Sequence, residues 1–113
     1  MYVDWGFLQE ITDADASFQR ELVQEFCGQA EMLGERIKDA VVTKDAEALQ
    51  RAAHSLKGSA ASVGAIDLCE AAANLDESAR RADFDGAVER VAALHDSLHG
   101  TLKEMKEWIK RAA

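Results

Sequence analysis

The sequence predicts an all-α fold, an antiparallel up-down-up-down four-helix bundle with a short N-terminal helix capping one end. Three observations carry that expectation. The 113 residues include no proline and only seven glycines, so little in the chain interrupts a helix. Apolar residues recur at steps of three and four along several long segments. Only short polar breaks separate those segments, and short connections make successive helices antiparallel neighbours. With no linker, repeat or low-complexity stretch, residues 1–113 read as one domain.

Taken in order, the first helix spans Asp4 to Ile11. "TDADAS" then supplies N-cap residues for a long helix over Ala16 to Val42, whose seam is Leu22, Phe26, Ala30, Leu33, Ile37 and Val41. "TKDAE" caps a third helix, Asp45 to Val63, with Leu49, Ala52, Ala53, Leu56, Ala60 and Val63 turned inward. Gly64 suits the left-handed residue that follows a helix end, and Asp67 starts or caps a fourth helix ending near Arg80. "RADFD" turns the chain once more. In the last helix Phe84, Val88, Val91, His95, Leu98, Leu102, Met105 and Ile109 alternate steps of four and three, the seam of a helix packed in a bundle. Lys103, Lys106, Lys110 and Arg111 gather at its C-terminal end, where the helix dipole favours cations. Trp5 and Trp108, near opposite chain ends, are read as packing residues at one end of the bundle.

Charge and hydropathy exclude several classes of function. A net charge of −8 repels a phosphate backbone, which argues against nucleic acid as a partner. No apolar run reaches the length of a membrane span, and "MYVDWGFLQEI" lacks the basic start and hydrophobic core of a secretion signal. The expected setting is the cytoplasm, with no membrane contact. Cys27 and Cys69 fall within amphipathic patterns and read as small core residues rather than a disulfide pair. A monomer is expected, since such a bundle closes its own core.

"RAAHSLKGSAASVGA", residues 51–65, carries the chemistry. On a helical wheel with the apolar seam at zero, His54 lies about 140° away, Lys57 about 80°, Ala61 about 120° and Gly58 about 180°. His54 therefore points outward beside one cation and two residues with little or no side chain. Gly58 costs the helix about 1 kcal/mol relative to alanine, and packing does not explain it, because it faces away from the core. It leaves a lane along which another protein's surface can approach the ring. His54 and Asp76 are equidistant in sequence from the turn at Ala65, so antiparallel helices bring them to the same height. A carboxylate there can accept the Nδ1–H and direct the Nε2 lone pair outward, the role an acid plays toward histidine in a catalytic triad. Lys57 is placed to meet a phosphoryl dianion on Nε2, while Arg51 lies further to the side. The cation is worth about 1–4 kcal/mol at 4 Å before screening.

"AAHSLKGSAASVGA" resembles the signature of histidine-containing phosphotransfer (HPt) domains, in which H-x-L-K-G precedes small residues and a further glycine. His54, Leu56, Lys57, Gly58, Ser59 and Gly64 match it. "VDWGFLQEIT", "SFQRELVQEFCGQAEML" and "LCEAAANLDESAR" extend the likeness over essentially the whole chain. The resemblance implies a four-helix bundle whose His54 accepts a phosphoryl group from a receiver-domain aspartate or a sensor histidine kinase and passes it to another receiver. It implies Lys57 as the phosphate-stabilising cation, Gly58 as the clearance and no cofactor in this chain, with Mg²⁺ on the receiver. Nothing offers a nucleotide loop, so a carrier rather than an enzyme is expected. Where the family often has Glu or Gln against the ring, this chain has the shorter Asp76, for which a direct bond and a water bridge both stay open. Leu8, Ile11 and Phe18, with Ala61 beside the ring, are the docking candidates, the first three reading equally well as residues that seal the top of the bundle, and Ser59 is a further candidate donor to the phosphoryl group.

Two other readings compete. A purely structural interaction bundle predicts that the Nε2 side of His54 is blocked or never phosphorylated. A metal site built from His95, His99 and Cys69 requires those atoms to converge, since His at i and i+4 can chelate on one helix face.

Overall fold

The computed structural model describes residues 1–112 and contains five helices: α1 Trp5–Ile11, α2 Ala16–Thr43, α3 Ala46–Ser62, α4 Ile66–Arg80 and α5 Phe84–Ala112. Aspartates start most of them. Asp4, Asp15 and Asp45 each accept a hydrogen bond from a first-turn amide, and Asp83 does the same for Gly86 N before α5. α3 ends at Ser62 with Val63 as its C-cap, and Gly64 follows in the left-handed region at φ 74°, as expected of a C′ glycine. Asp67 lies in the first turn of α4.

Each long helix packs on its sequence neighbours, and α5 closes back onto α2. The bundle therefore has the predicted topology. Its core is aliphatic: Val23 and Ile37 from α2, Leu49 and Leu56 from α3, Leu68 and Leu75 from α4, Leu94 and Met105 from α5 are all fully buried. Every seam residue expected of α3 is buried. The seam of α5 is turned relative to expectation. Ala87, Leu94, Leu98, Thr101 and Met105 occupy its buried centre, while Val88 is 59% exposed. Ala87 and Thr101 are both fully buried, and the Thr101 hydroxyl donates to its own helix at Ser97 O (2.7 Å).

α2 and α5, with 28 and 29 residues, are each about 42–44 Å long, whereas the 17 and 15 residues of α3 and α4 reach only about 22–26 Å. The long pair overhangs the α3–α4 turn, and the N-terminal segment covers the overhang. Asp4 N donates to Gly64 O (2.8 Å). Tyr2 N, Val3 N and Trp5 Nε1 all donate to the Glu104 carboxylate at 3.0–3.1 Å, and Trp5 stacks on Trp108 with centroids 5.2 Å apart. Leu8 fills the space beneath and is 1% exposed. Glu104→Ala removes the acceptor of three donors at once. A loss of about 2 kcal/mol is expected, with faster amide exchange confined to residues 2–8, read by hydrogen exchange and a thermal melt.

His95 is tucked beside Gly34 with Nε2 buried and unpartnered. Burial foremost, then the charge of Lys38, depresses its pKa against the opposing pull of Glu35 and Asp96, so the ring is neutral. It lines a groove between α2 and α5 with His99, whereas Cys69 lines a different groove, between α3 and α4. The metal ligand set is not assembled: among the described residues no three His, Cys, Asp or Glu side chains cluster as a site. Both cysteines are free thiols. No helix among the described residues is long and apolar enough to cross a membrane.

Candidate functional site

α3 is an alanine-rich helix whose large apolar residues all face inward, so its outer face carries little besides the motif. On that face His54, Gly58 and Ala61 are exposed and Lys57 is half-buried. The His54 side chain keeps 55% of its surface open to solvent. A Cβ built on Gly58 would meet no atom within 4 Å, so the glycine fronts open space rather than a neighbouring helix.

α4 supplies the anchor. Asp76 is buried at the α3–α4 interface, its side chain only 5% exposed, and Oδ2 lies 3.2 Å from His54 Nδ1. The contact is direct, which settles the alternative of a water bridge. The turn arithmetic held because the connection between α3 and α4 is only three residues, Val63 to Ala65. Nδ1 is engaged on the carboxylate, so Nε2 is the ring nitrogen left over for chemistry on a side chain that is half open to solvent.

The other oxygen of Asp76 is held as firmly. Gln50 Nε2 donates to Oδ1 at 3.0 Å and Arg80 Nε at 3.1 Å, while Lys57 Nζ stands 3.8 Å from Oδ2. Burial by itself would raise the pKa of this carboxyl. Hydrogen bonds from Gln50, His54 and Arg80, together with the charge of Arg80, outweigh burial and hold it below the ordinary carboxylate value. Asp76 is therefore ionised whenever the ring has work to do. Two cations and one carboxylate leave a local excess of positive charge at the ring, on a chain whose overall charge is −8.

Sequence reasoning missed Gln50 and Arg80. Both carried a signal: Gln50 lies one turn before His54 on the same face, and Arg80 one turn after Asp76. Two expectations need correction. Leu8 is buried under the N-terminal segment and presents no surface to a partner, whereas Ile11 and Phe18 are 43% and 46% exposed. Ser59 turns toward α2, where its hydroxyl donates to Gln29 Oε1 (3.3 Å), so it flanks the site instead of reaching the ring. Arg51, expected to lie to the side, pairs with Glu47 one turn back. Ala61 lines a shallow groove between α3 and α4 with Ala60, Ala65, Ile66, Cys69 and Ala73.

Fold and site together define a class: a closed helical bundle that presents one carboxylate-anchored histidine to solvent, with a lysine beside it. The chain belongs to the Hpt domain family, whose sequence profile matches residues 21–108. It is 32% identical over 87 residues to the phosphorelay protein LuxU of Vibrio vulnificus, covering 77% of this chain and 76% of that one. It is 31% identical over 86 residues to the phosphorelay intermediate protein YPD1 of Candida albicans, covering 74% of this chain. The match spans only 47% of that longer protein. Among solved structures, the histidine-containing phosphotransfer protein HptB of Pseudomonas aeruginosa superposes with a TM-score of 0.90 over 97% of this chain and 96% of its own, at 24% identity. At that identity the likeness speaks for the fold.

Proposed function

We propose that this protein is a phosphorelay carrier that takes a phosphoryl group on Nε2 of His54 from a receiver-domain aspartate, or from a sensor histidine kinase, and delivers it to another receiver. The observation that carries this reading is the bond between His54 Nδ1 and Asp76, which leaves Nε2 as the free, outward nucleophile. In the forward step the Nε2 lone pair attacks phosphorus, a P–N bond forms, and the P–O bond of the aspartyl phosphate breaks to return a carboxylate to the receiver. Reversal onto a second receiver regenerates the imidazole, so the chain has no turnover of its own. Mg²⁺ belongs to the receiver's acidic cluster in this reading. Ile11, Phe18 and Ala61 offer apolar contact around the ring, and the carrier works as a cytoplasmic monomer.

The test is incubation with a phosphorylated receiver domain. Label is expected to move to this chain as an acid-labile, base-stable adduct, and failure of any receiver or kinase to transfer it defeats the proposal.

Lys57 sits 3.8 Å from the carboxylate before transfer and is free to turn to the incoming dianion. Lys57→Ala is expected to keep the fold and slow transfer roughly 5- to 30-fold, the equivalent of about 1–2 kcal/mol. Unchanged rates in quenched-flow assays would remove Lys57 from the chemistry.

A further inference from the structure

The carrier reading asks of Asp76 only that it orient the ring, yet the site is built to keep a charged carboxylate on Nδ1 throughout the cycle. Its Oδ1 is occupied by Gln50 and Arg80 at 3.0 and 3.1 Å, and the group is buried, so the carboxylate has no freedom to swing away. Oδ2 is thereby reserved for the ring.

The chemistry of the adduct gives that arrangement a consequence. When the P–Nε2 bond breaks, its electron pair returns to Nε2. If Nδ1 carries a proton, the ring departs as neutral imidazole. If it does not, the ring must depart as imidazolate, a far poorer leaving group. Lability of phosphohistidine is therefore set by the fraction of adduct protonated at Nδ1.

We propose that Asp76 acts as a positioning residue that sets the lifetime of the phosphoryl group on His54, its negative charge holding the Nδ1 proton in place so that the adduct stays poised to transfer. The inference rests on the carrier reading and goes beyond it: this chain is tuned for prompt hand-over rather than storage. From α3 the ring is faced by Lys57 and from α4 by Asp76 and Arg80, while α2 brings Gln29 to Ser59 on the far flank. Lys57 and Arg80 carry the opposite charge, and of the three side chains Asp76 is the one in direct contact with Nδ1.

The full chain would be phosphorylated with potassium phosphoramidate, which needs no partner protein, and adduct decay followed by ³¹P NMR between pH 5 and 9. In Asp76→Asn, which keeps the shape of the side chain and removes its charge, the decay profile is expected to move to lower pH, and the adduct at pH 8 is expected to live several times longer. Arg80→Gln removes an opposing charge, so its midpoint should move up and its adduct shorten. That opposite sign is one a general loosening of the site would not produce, and it carries the test if Asp76→Asn fails to fold. Coincident decay profiles in wild type and both variants overturn the inference while leaving the carrier intact. If no adduct forms on wild-type His54 with any donor, the carrier reading falls and the inference falls with it.

Discussion

His54→Gln is expected to take no label from a phosphorylated receiver while melting within about 1 kcal/mol of the wild type. The side chain is 55% exposed and contributes nothing to the aliphatic core, so its removal opens no cavity. Glutamine is at least as good a helix former as histidine, and its amide N–H can still donate to Asp76, which limits the loss to part of one hydrogen bond. What disappears is the nucleophile, because an amide nitrogen delocalises its lone pair into the carbonyl. His95 and His99 remain in the variant, so the experiment also reports which histidine is modified. Label persisting at the wild-type level would move the phosphoryl group to another residue. A collapsed melt would make His54 structural.

Much of this site was legible because its parts are close in sequence or close to a turn. His54, Lys57, Gly58 and Ala61 share a face by helical periodicity alone, and Asp76 followed from a tight reversal near Ala65. The contacts that escaped notice are of two kinds. Glu104 holds the backbone of Tyr2 and Val3 across roughly the whole chain, and no local pattern reports a side chain binding a remote amide. Gln50 and Arg80 meet on Asp76, and a carboxylate with several donors in reach does not announce which of them it keeps. The rotation of α5 has a different origin. Counting large aliphatic residues gives weight to Val88, whereas the face that is buried includes the small residues Ala87 and Thr101, which such a count passes over. Turn glycines marked only one boundary for a similar reason. Lys44 and Ala82 take left-handed conformations at φ 55° and 53° after α2 and α4, where the next amides, Asp45 N and Asp83 N, close the helix ends on Ala40 O and Ser78 O without a glycine to mark the turn. Leu8 belongs with these. A short amphipathic helix shows which residues are apolar but not which one the overhanging ends of α2 and α5 will swallow.

Gly58→Gln should separate stability from function by moving them in opposite directions. Nothing lies within 4 Å of the position a Cβ would take, so any side chain is accommodated without strain. Glutamine recovers most of the backbone entropy that glycine forfeits, about 0.5–1 kcal/mol, and the melting temperature should rise by about 2–6 °C. The Ser62 hydroxyl, which donates to Gly58 O at 2.9 Å, keeps its partner. Yet residue 58 lies one turn from His54 on the same face, with Cβ atoms about 5–6 Å apart, and a long side chain there stands in the path of a receiver approaching Nε2. Transfer from a phosphorylated receiver should fall by about 10- to 100-fold, whereas phosphorylation by phosphoramidate, a donor of a few atoms, should be little changed. Gly58→Ala should share the gain in melting temperature with a smaller loss in transfer. Such a combination identifies the obstacle as steric and external to the fold: the helix retains its least favourable residue because a second protein has to come within bonding distance of the ring. Wild-type transfer rates in the more stable Gly58→Gln variant would show that the open lane serves no partner at all.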